Sequence, residues 1–310
     1  MARVLLLFVD GVGLAPVAET NPLAAGTMPA LDAELGGPLT VERVGRGSDW
    51  TLAALDATLG VPGAPQSATG QTTLFTGTNA PARLGRHVPA FPGARLKAIL
   101  EERSILRRAR EAGRAATFAN PFSPRYFAEI ETRRRRHSAT TLAAMAGGGE
   151  LRGLAELAAG EACTWDVTRA DFRCYEPAVA PISATEAGRQ LARLAGRHDL
   201  TLWETFMTDL AGHGRRGWTA AEALARLDGL IAGVLAARPA DLTVLLTSDH
   251  GNLEDASQRL HTRNPVPLLA IGFERDRFAG LSALDQVAPA ILSTLGIGDP
   301  ELVPAANNLR

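Results

Sequence analysis

Residues 242–252 read Leu-Thr-Val-Leu-Leu-Thr-Ser-Asp-His-Gly-Asn, and this segment sets the expected architecture. Its apolar and β-branched run is typical of a strand buried on both faces of a sheet. The run ends at Asp249 and His250, so both side chains should reach the carboxyl edge of the sheet, where open α/β folds bind ligands. Adjacent side chains normally diverge, and we expect Gly251 to supply the sharp turn that brings both to one site.

Short β-rich runs alternate with helical stretches along the whole chain. The predicted strands are residues 4–9, 51–58, 115–119, 199–205, 242–247 and 267–271. The predicted helices are residues 94–112, 138–146, 184–195, 220–237 and 283–295, with Thr219 capping the fourth. This alternation predicts an α/β fold: a mainly parallel sheet with helices on both faces.

The middle of the chain has a different character. It contains the glycine run 147–149, the proline-rich turn 120–124 and the charge run from Arg133 to Arg136. We therefore predict a smaller inserted cap or lid at residues 87–181. Residues 1–86 and 182–310 would form the catalytic core.

Composition excludes several classes of function. The 310 residues are 46% hydrophobic and 21% charged, with a formal net charge of −1, so no positive field favours nucleic acid or a membrane surface as a partner. Asp10 stops the first apolar run too early for a signal peptide or a membrane span, which predicts a cytoplasmic protein. Cys163 and Cys174 fit no disulfide or metal-clip spacing and are predicted to be buried thiols.

Two further strand ends carry similar side chains. Asp10 ends the first strand before Gly11-Val12-Gly13, and the segment after the strand at 199–205 carries Asp209 and His213. Each side chain alone is explained by a cap or a hydrogen bond. Together with a histidine eleven residues beyond His250, they form a candidate set of metal ligands. The set is Asp10, Asp209, His213, Asp249, His250 and His261.

Mixed carboxylate and imidazole ligands suit Mn²⁺, Zn²⁺ or Fe, and six ligands are enough for two ions. Two ions about 3.5 to 4 Å apart can hold the attacking and leaving oxygens of an in-line displacement. A nucleophile is then needed. Residues 65–73, Pro-Gln-Ser-Ala-Thr-Gly-Gln-Thr-Thr, offer Ser67 before a predicted helix whose positive end could bind phosphate oxygens; the alternative is that Ser67 is only a helix cap.

Five blocks of sequence, in this order, resemble the alkaline phosphatase superfamily, most closely its branch of phosphopentomutase and cofactor-independent phosphoglycerate mutase. The blocks are residues 8–13, 66–70, 209–213, 247–252 and 261–267. The resemblance implies one ion held by Asp10, Ser67, Asp249 and His250, and another held by Asp209, His213 and His261. It also implies that both ions are Mn or Zn and that the reaction passes through a phosphoserine at Ser67.

Hydrolysis of a small phosphate ester, by a phosphatase or phosphodiesterase, is the predicted reaction. A phosphomutase acting on a sugar phosphate or phosphoglycerate is one alternative, and a non-catalytic metal-binding protein is another. Arg263, Gln71 and Thr69 are the predicted substrate contacts, and Arg133 to Arg136 are a further possibility against a plain solvated charge run. Members of the related branch usually carry histidine at the position of Gln71, which argues against a mutase-type contact there.

Overall fold

The computed structural model of the protein describes residues 2–298, in which seven strands form a single sheet. The strands are β1 (Arg3–Val9), β2 (Gly45–Arg46), β3 (Trp50–Leu55), β4 (Ala116–Phe118), β5 (Leu200–Thr205), β6 (Leu242–Thr247) and β7 (Val266–Gly272). Their order is β2-β3-β7-β6-β1-β5-β4. The pairs β4–β5, β5–β1 and β1–β6 are parallel, whereas β7 is antiparallel to both β6 and β3. All six predicted strands are confirmed, and only the two-residue β2 was not predicted.

Strand β1 lies inside the sheet, between β6 and β5, and is buried on both faces. Leu5 and Leu7 pack in one hydrophobic core, and Leu6 and Phe8 pack in the other. Successive side chains of a strand point to opposite faces, so an apolar run without alternation buries both. Each face of the sheet is therefore available for a layer of helices.

Helices cover both faces, as predicted. They are α1 (Pro29–Leu35), α2 (Ser67–Thr76), α3 (Ala80–Leu84), α4 (Ala94–Arg103), α5 (Ile105–Glu111), α6 (Pro124–Glu131), α7 (Ala139–Met145), α8 (Leu154–Ala158), α9 (Ala184–Ala195), α10 (Met207–Gly212), α11 (Ala220–Ala237) and α12 (Val287–Thr294). Helices α1, α9 and α11 pack in the core of Leu5, and helices α2, α4, α5, α7 and α12 pack in the core of Phe8.

Helix boundaries differ from the prediction in two places. The predicted helix 94–112 is divided at Ser104, whose hydroxyl accepts a hydrogen bond from Leu106 N and donates one to Ala143 O. The predicted helix 283–295 begins with a 3₁₀ turn, so α12 starts only at Val287. Thr219 caps α11 as predicted, and Glu222 completes a capping box.

The segment predicted as an insert, residues 87–181, includes residues that belong to the sheet and to its hydrophobic cores. Strand β4 lies within it and pairs with β5, and Leu100, Ile105 and Ala143 of the same segment pack in the core of Phe8. The strand signal of β4 was weak because it is only three residues long. Cys163 and Val167, later in the same segment, pack in the core of Leu5. A cap within residues 87–181 stays a prediction. Residues 299–310 of the predicted core lie outside the described residues.

Between residues 2 and 298, no helix combines the length and the apolar character needed to cross a bilayer. The two cysteines differ in exposure: Cys163 is buried, as predicted, but Cys174 is exposed. The 3₁₀ turn Phe172–Cys174 buries its phenylalanine and leaves its cysteine at the surface, which is why the prediction was wrong for Cys174.

Candidate metal centre

The backbone fixes Asp10 where three parallel strands end. Its N–H donates to Thr205 O at the end of β5 over 2.9 Å. Its carbonyl accepts a hydrogen bond from Thr208 Oγ1 over 2.5 Å. Asp249 and His250 follow β6, the neighbour of β1 on the other side. The carboxyl ends of β5, β1 and β6 therefore bring residues from three distant parts of the sequence together.

One group of side chains gathers around His250. Its Nε2 lies 3.2 Å from Asp10 Oδ1 and 3.6 Å from Asp249 Oδ2. The same nitrogen is 3.1 Å from Ser67 Oγ. Three proposed ligands and the proposed nucleophile thus share one small volume.

A second group surrounds Asp209. Its Oδ1 is 3.3 Å from His213 Nε2 and 3.8 Å from His261 Nε2. The two Nε2 atoms are 3.1 Å apart. The rings of His250 and His261 stack with their centroids 3.7 Å apart, so the two groups are neighbours. All six predicted ligands therefore converge.

Hydrogen bonds to the backbone determine which nitrogens of two of these histidines carry a proton. His213 Nδ1 is 2.7 Å from Arg259 O, and His261 Nδ1 is 2.9 Å from Pro65 O. A carbonyl oxygen can only accept, so each Nδ1 carries a proton, and each ring presents a lone pair at Nε2 whenever it is neutral. Two lone pairs 3.1 Å apart beside a carboxylate oxygen repel each other unless a proton or a cation lies between them. A metal ion satisfies all three groups at once.

The acids of the first group also lack donors. Both oxygens of Asp249 and Oδ1 of Asp10 are buried and make no hydrogen bond in the described structure. Burial raises the pKa of Asp249 to about 7. Burial also raises the pKa of Asp10 well above its ordinary value, and the charges of Asp249 and Asp209 add to that shift. Buried acids without donors are unfavourable, and a divalent cation would relieve this cost.

In the second group, the pKa values of Asp209 and His261 are lowered, whereas those of the acids in the first group are raised. Burial acts to raise the pKa of Asp209, but the hydrogen bond with His213 and the charge of His250 outweigh it and lower that pKa to about 2. Burial lowers the pKa of His261 to about 4, and the charge of His250 adds to this. Asp209 and His261 thus have the protonation states that a metal ion requires. The hydrogen bond with Asp209 raises the pKa of His213, so that ring would release its Nε2 proton when an ion binds.

The donor set therefore fits divalent cations. Asp10, Asp249 and His250 bring ligand atoms within 4.8 Å of one another, and so do Asp209, His250 and His261. Oxygen and imidazole nitrogen together suit Mn²⁺ and Zn²⁺.

Ser67 is the first residue of α2, and Gln66 occupies the N-cap position without a capping side-chain bond. The alternative interpretation of Ser67 as a helix cap therefore does not apply. The amides of Ala68 and Thr69 both donate to Val88 O, at 3.1 and 3.4 Å. The prediction that the amino end of α2 binds phosphate oxygens is wrong for these two amides, because the loop after α3 already occupies them.

The three residues predicted to contact the substrate differ in their exposure and in their hydrogen bonds. Thr69 is fully buried, and its hydroxyl donates to Gln66 O and accepts from Val88 N, so it supports the loop and does not face a substrate. Gln71 is 4% exposed, and its Nε2 lies 3.4 Å from Asp10 Oδ2, a contact that orients a proposed ligand. Arg263 is exposed two residues after His261 and stays a prediction.

The charge run from Arg133 to Arg136 is exposed. Arg135 pairs with Glu129 at 2.8 Å, and the guanidinium of Arg136 lies 5.2 Å from the ring centroid of Phe91. Both contacts are those of a solvated surface run.

Gly251 does not have a positive φ, so its backbone does not need the left-handed conformation that favours glycine. Its role is to leave space: a Cβ there would collide with Thr262 Oγ1 and Glu254 Oε1. The left-handed turn is at Gly11, with φ 73°, where a Cβ would lie 2.9 Å from Asp209 Oδ1. The glycines of this region therefore allow three loops to approach closely.

Replacing Gly251 by alanine is expected to lower the free energy of unfolding by about 1–3 kcal/mol, because the added methyl group forces the loop of Thr262 outward. Chemical denaturation measures this loss. Gly280→Ala is the matched control, since nothing lies within 4 Å of a Cβ there, and it should change stability by less than about 0.5 kcal/mol. Equal losses in the two variants would contradict the role given to Gly251.

Two buried acids near the ends of the strands were not predicted, Glu204 and Glu254. Glu204 stands in β5 opposite Phe8, within an otherwise uncharged strand, which is the one signal that could have drawn attention to it. Its Oε1 accepts a hydrogen bond from Thr140 Oγ1 over 2.7 Å. The side chain of Asn120 pairs with its backbone N–H and C=O, both at 2.8 Å. Burial raises the pKa of Glu204 to about 7.

This raised pKa predicts a loss of stability as pH rises. The folded protein holds the Glu204 proton more tightly than the unfolded chain, so the stabilisation is complete below about pH 4.5 and is lost as pH rises to about 7. The change should amount to about 3 kcal/mol. Urea denaturation of the protein and of Glu204→Gln between pH 5 and 8 measures it. An identical pH dependence in the two proteins would contradict the assignment.

The seven-stranded sheet, with acids and histidines at its carboxyl edge, resembles the arrangement found in alkaline phosphatase-like structures. The family model described as the Metalloenzyme superfamily matches residues 172–299. These findings, with the similar proteins below, confirm the resemblance to the alkaline phosphatase superfamily.

Among curated proteins, the chain is similar to the 2,3-bisphosphoglycerate-independent phosphoglycerate mutase of Cellvibrio japonicus, with 28% identity over 121 residues, which is 36% of this chain and 23% of the mutase. The match thus spans about a quarter of the length of such relatives. Among solved structures, the PH0037 protein from Pyrococcus horikoshii has a TM-score of 0.58 and 16% identity, over 96% of this chain and 98% of that one. The alkaline phosphatase of Thermus thermophilus has a TM-score of 0.56 and 15% identity, over 96% and 92%. The structural likenesses define the fold.

Proposed function

We propose that the protein is a two-metal phosphoryl-transfer enzyme that hydrolyses a small phosphate ester through Ser67. The observation that carries this proposal is the convergence of buried acceptors that lack donors. Both carboxylate oxygens of Asp249 lack a hydrogen-bond donor. The Nε2 atoms of His213 and His261 face each other. Ser67 Oγ lies 3.1 Å from His250 Nε2. A site built of acceptors is suited to cations and, through them, to an anionic substrate.

One ion would be held by Asp10, Ser67, Asp249 and His250, and the other by Asp209, His213 and His261. Bound Mn²⁺ or Zn²⁺ would lower the pKa of the serine hydroxyl and offset charge on the transferring phosphoryl group. The number of ions and their identity are part of the proposal.

Ser67 supplies the nucleophile. Its Oγ forms a bond to phosphorus while the ester P–O bond breaks and the alcohol leaves with a proton. Water then cleaves the phosphoserine, which regenerates the hydroxyl and releases inorganic phosphate. His213 and His261 keep their orientation through the bonds from Nδ1 to backbone carbonyls, and Asn252 Nδ2 holds Asp209 Oδ1 at 3.1 Å.

Hydrolysis and mutase action differ in what receives the phosphoryl group. A mutase must exclude water from its intermediate, which requires a cap that closes over the site. Much of the segment predicted as a cap packs against the sheet, including Leu100, Ile105 and Phe118, so less chain is left to close. This favours hydrolysis. The similarity to phosphoglycerate mutases keeps a phosphomutase as the second candidate.

The proposal predicts metal-dependent release of p-nitrophenol from p-nitrophenyl phosphate or its bis ester. Activity should disappear with a chelator and return with Mn²⁺ or Zn²⁺. Turnover of phosphoglycerate or a pentose phosphate to its isomer, without hydrolysis, would support the mutase. Two bound ions without turnover of any phosphate ester would support the non-catalytic alternative. The cytoplasmic location stays a prediction.

A further inference from the structure

Glu254 connects three loops that carry proposed ligands. Its side chain is 1% exposed. Oε2 accepts from Gly13 N and from Asn252 N, both at 2.8 Å. Oε1 accepts from Asn264 Nδ2 at 3.1 Å and from the hydroxyl of Thr262. One carboxylate therefore joins the loop after Asp10, the loop after His250 and the segment after His261.

The surrounding sequence makes room for this carboxylate. A Cβ at Gly13 or at Gly251 would collide with Glu254 Oε1. Both glycines thus leave space for one buried acid, which lies in the same loop as Gly251 and reaches Gly13 in the loop after β1. All four partners are donors, and two oxygens that accept from four donors suit an ionised carboxylate.

We infer that Glu254 is a positioning residue that sets the spacing between the two proposed ion sites, through the four hydrogen bonds that join the Asp10, His250 and His261 loops. It does not contact the proposed ligand atoms. The inference rests on the proposed two-metal function, because spacing matters only if both sites are filled.

The four donors differ in whether they can also accept a hydrogen bond, so the effect of replacing Glu254 differs between the loops. The N–H groups of Gly13 and Asn252 belong to the backbone and cannot become acceptors. The Thr262 hydroxyl can rotate and the Asn264 amide can flip. In Glu254→Gln, the new NH₂ group should therefore face Thr262 and Asn264. The hydrogen bonds that join the Asp10 and His250 loops then persist, while the hydrogen bonds to the segment after His261 weaken.

The test is a Mn²⁺ titration of full-length protein with free Mn²⁺ held by a chelator buffer. The unaltered protein should bind two ions. In Glu254→Gln, affinity should fall about 10- to 100-fold at one site only. Hydrolysis should fall in parallel and recover at saturating Mn²⁺. A merely structural defect would not recover in this way.

A second substitution provides a rescue. In the double variant Glu254→Gln/Asn264→Asp, the amide introduced by the first change can donate to the carboxylate introduced by the second, so most of the lost Mn²⁺ affinity should return. Asp228→Asn is the matched control, because Asp228 is a buried acid that accepts from Ala30 N and Leu31 N away from the site. It should lower stability and leave Mn²⁺ affinity unchanged.

The outcomes separate the two proposals. If the unaltered protein binds no Mn²⁺, the proposed function fails. If it binds two ions and Glu254→Gln has the same titration curve, only the inference about Glu254 is overturned. Equal weakening of both sites, or no rescue by Asn264→Asp, also contradicts it.

Discussion

Replacing Ser67 by alanine is expected to lower kcat for phosphate ester hydrolysis by at least ~10³-fold, because no other group can form the covalent intermediate. Ser67 Oγ is the hydroxyl that lies 3.1 Å from His250 Nε2 among the proposed ligands. Bound metal should stay close to two ions per chain, since the acids and histidines remain. Steady-state kinetics and metal analysis by mass spectrometry measure the two effects together.

Ser183→Ala is a suitable control, because Ser183 caps α9 by accepting from Glu186 N and lies at the start of a helix remote from the site. It should lose about 1 kcal/mol of stability and keep its activity. Mass spectrometry of protein quenched during turnover should show a phosphate on Ser67. Unimpaired hydrolysis by Ser67→Ala would remove Ser67 from the mechanism.

Replacing Asp249 by asparagine is expected to abolish binding of one ion and to lower kcat/KM by at least ~10³-fold. The same change should stabilise the metal-free protein at pH 8. Burial raises the pKa of Asp249 to about 7, so the carboxylate costs stability that grows as pH rises from 3.8 to about 7. Asparagine removes this charge from a site where both oxygens lack donors.

Thermal denaturation with and without a chelator distinguishes these effects from misfolding. Asp249→Asn should be more stable than the unaltered protein in chelator, by about 1–2 kcal/mol, and should gain less from added Mn²⁺. Asp166→Asn is the matched control, because Asp166 is also buried with a raised pKa but accepts from Asp171 N and Phe172 N outside the site. A metal-free Asp249→Asn less stable than the parent would contradict this account.

The sequence was sufficient to predict the sheet and the convergence of the proposed ligands, because both depend on strand ends. An apolar run buried on both faces is visible without any knowledge of tertiary contacts, and the residue that ends it must lie at the sheet edge. Asp10 and His250 were found in this way. Their convergence with Asp209 follows from the adjacency of β5, β1 and β6.

Residues whose role depends on contacts between loops could not be predicted. The donors to Glu254 come from Gly13, Asn252, Thr262 and Asn264, and the sequence shows only an ordinary loop acid. Thr69 was misassigned for the same reason, since Val88 approaches the amino end of α2 only in the folded chain.

The boundaries of the proposed cap were also beyond the sequence. Strand β4 was predicted, but with only three residues it gives no periodic signal that would show that it joins the sheet by pairing with β5. Ser104 divides one apolar pattern into two helices through a bond to Ala143, which lies 39 residues away. Local patterns identify elements, whereas long-range hydrogen bonds decide where they end.

The most direct measurement is anomalous X-ray diffraction from crystals grown with Mn²⁺. The account predicts two peaks about 3.5 to 4 Å apart, one among Asp10, Asp249 and His250 and the other among Asp209, His213 and His261. A single peak, or Mn²⁺ bound only elsewhere on the protein, would contradict the two-ion centre.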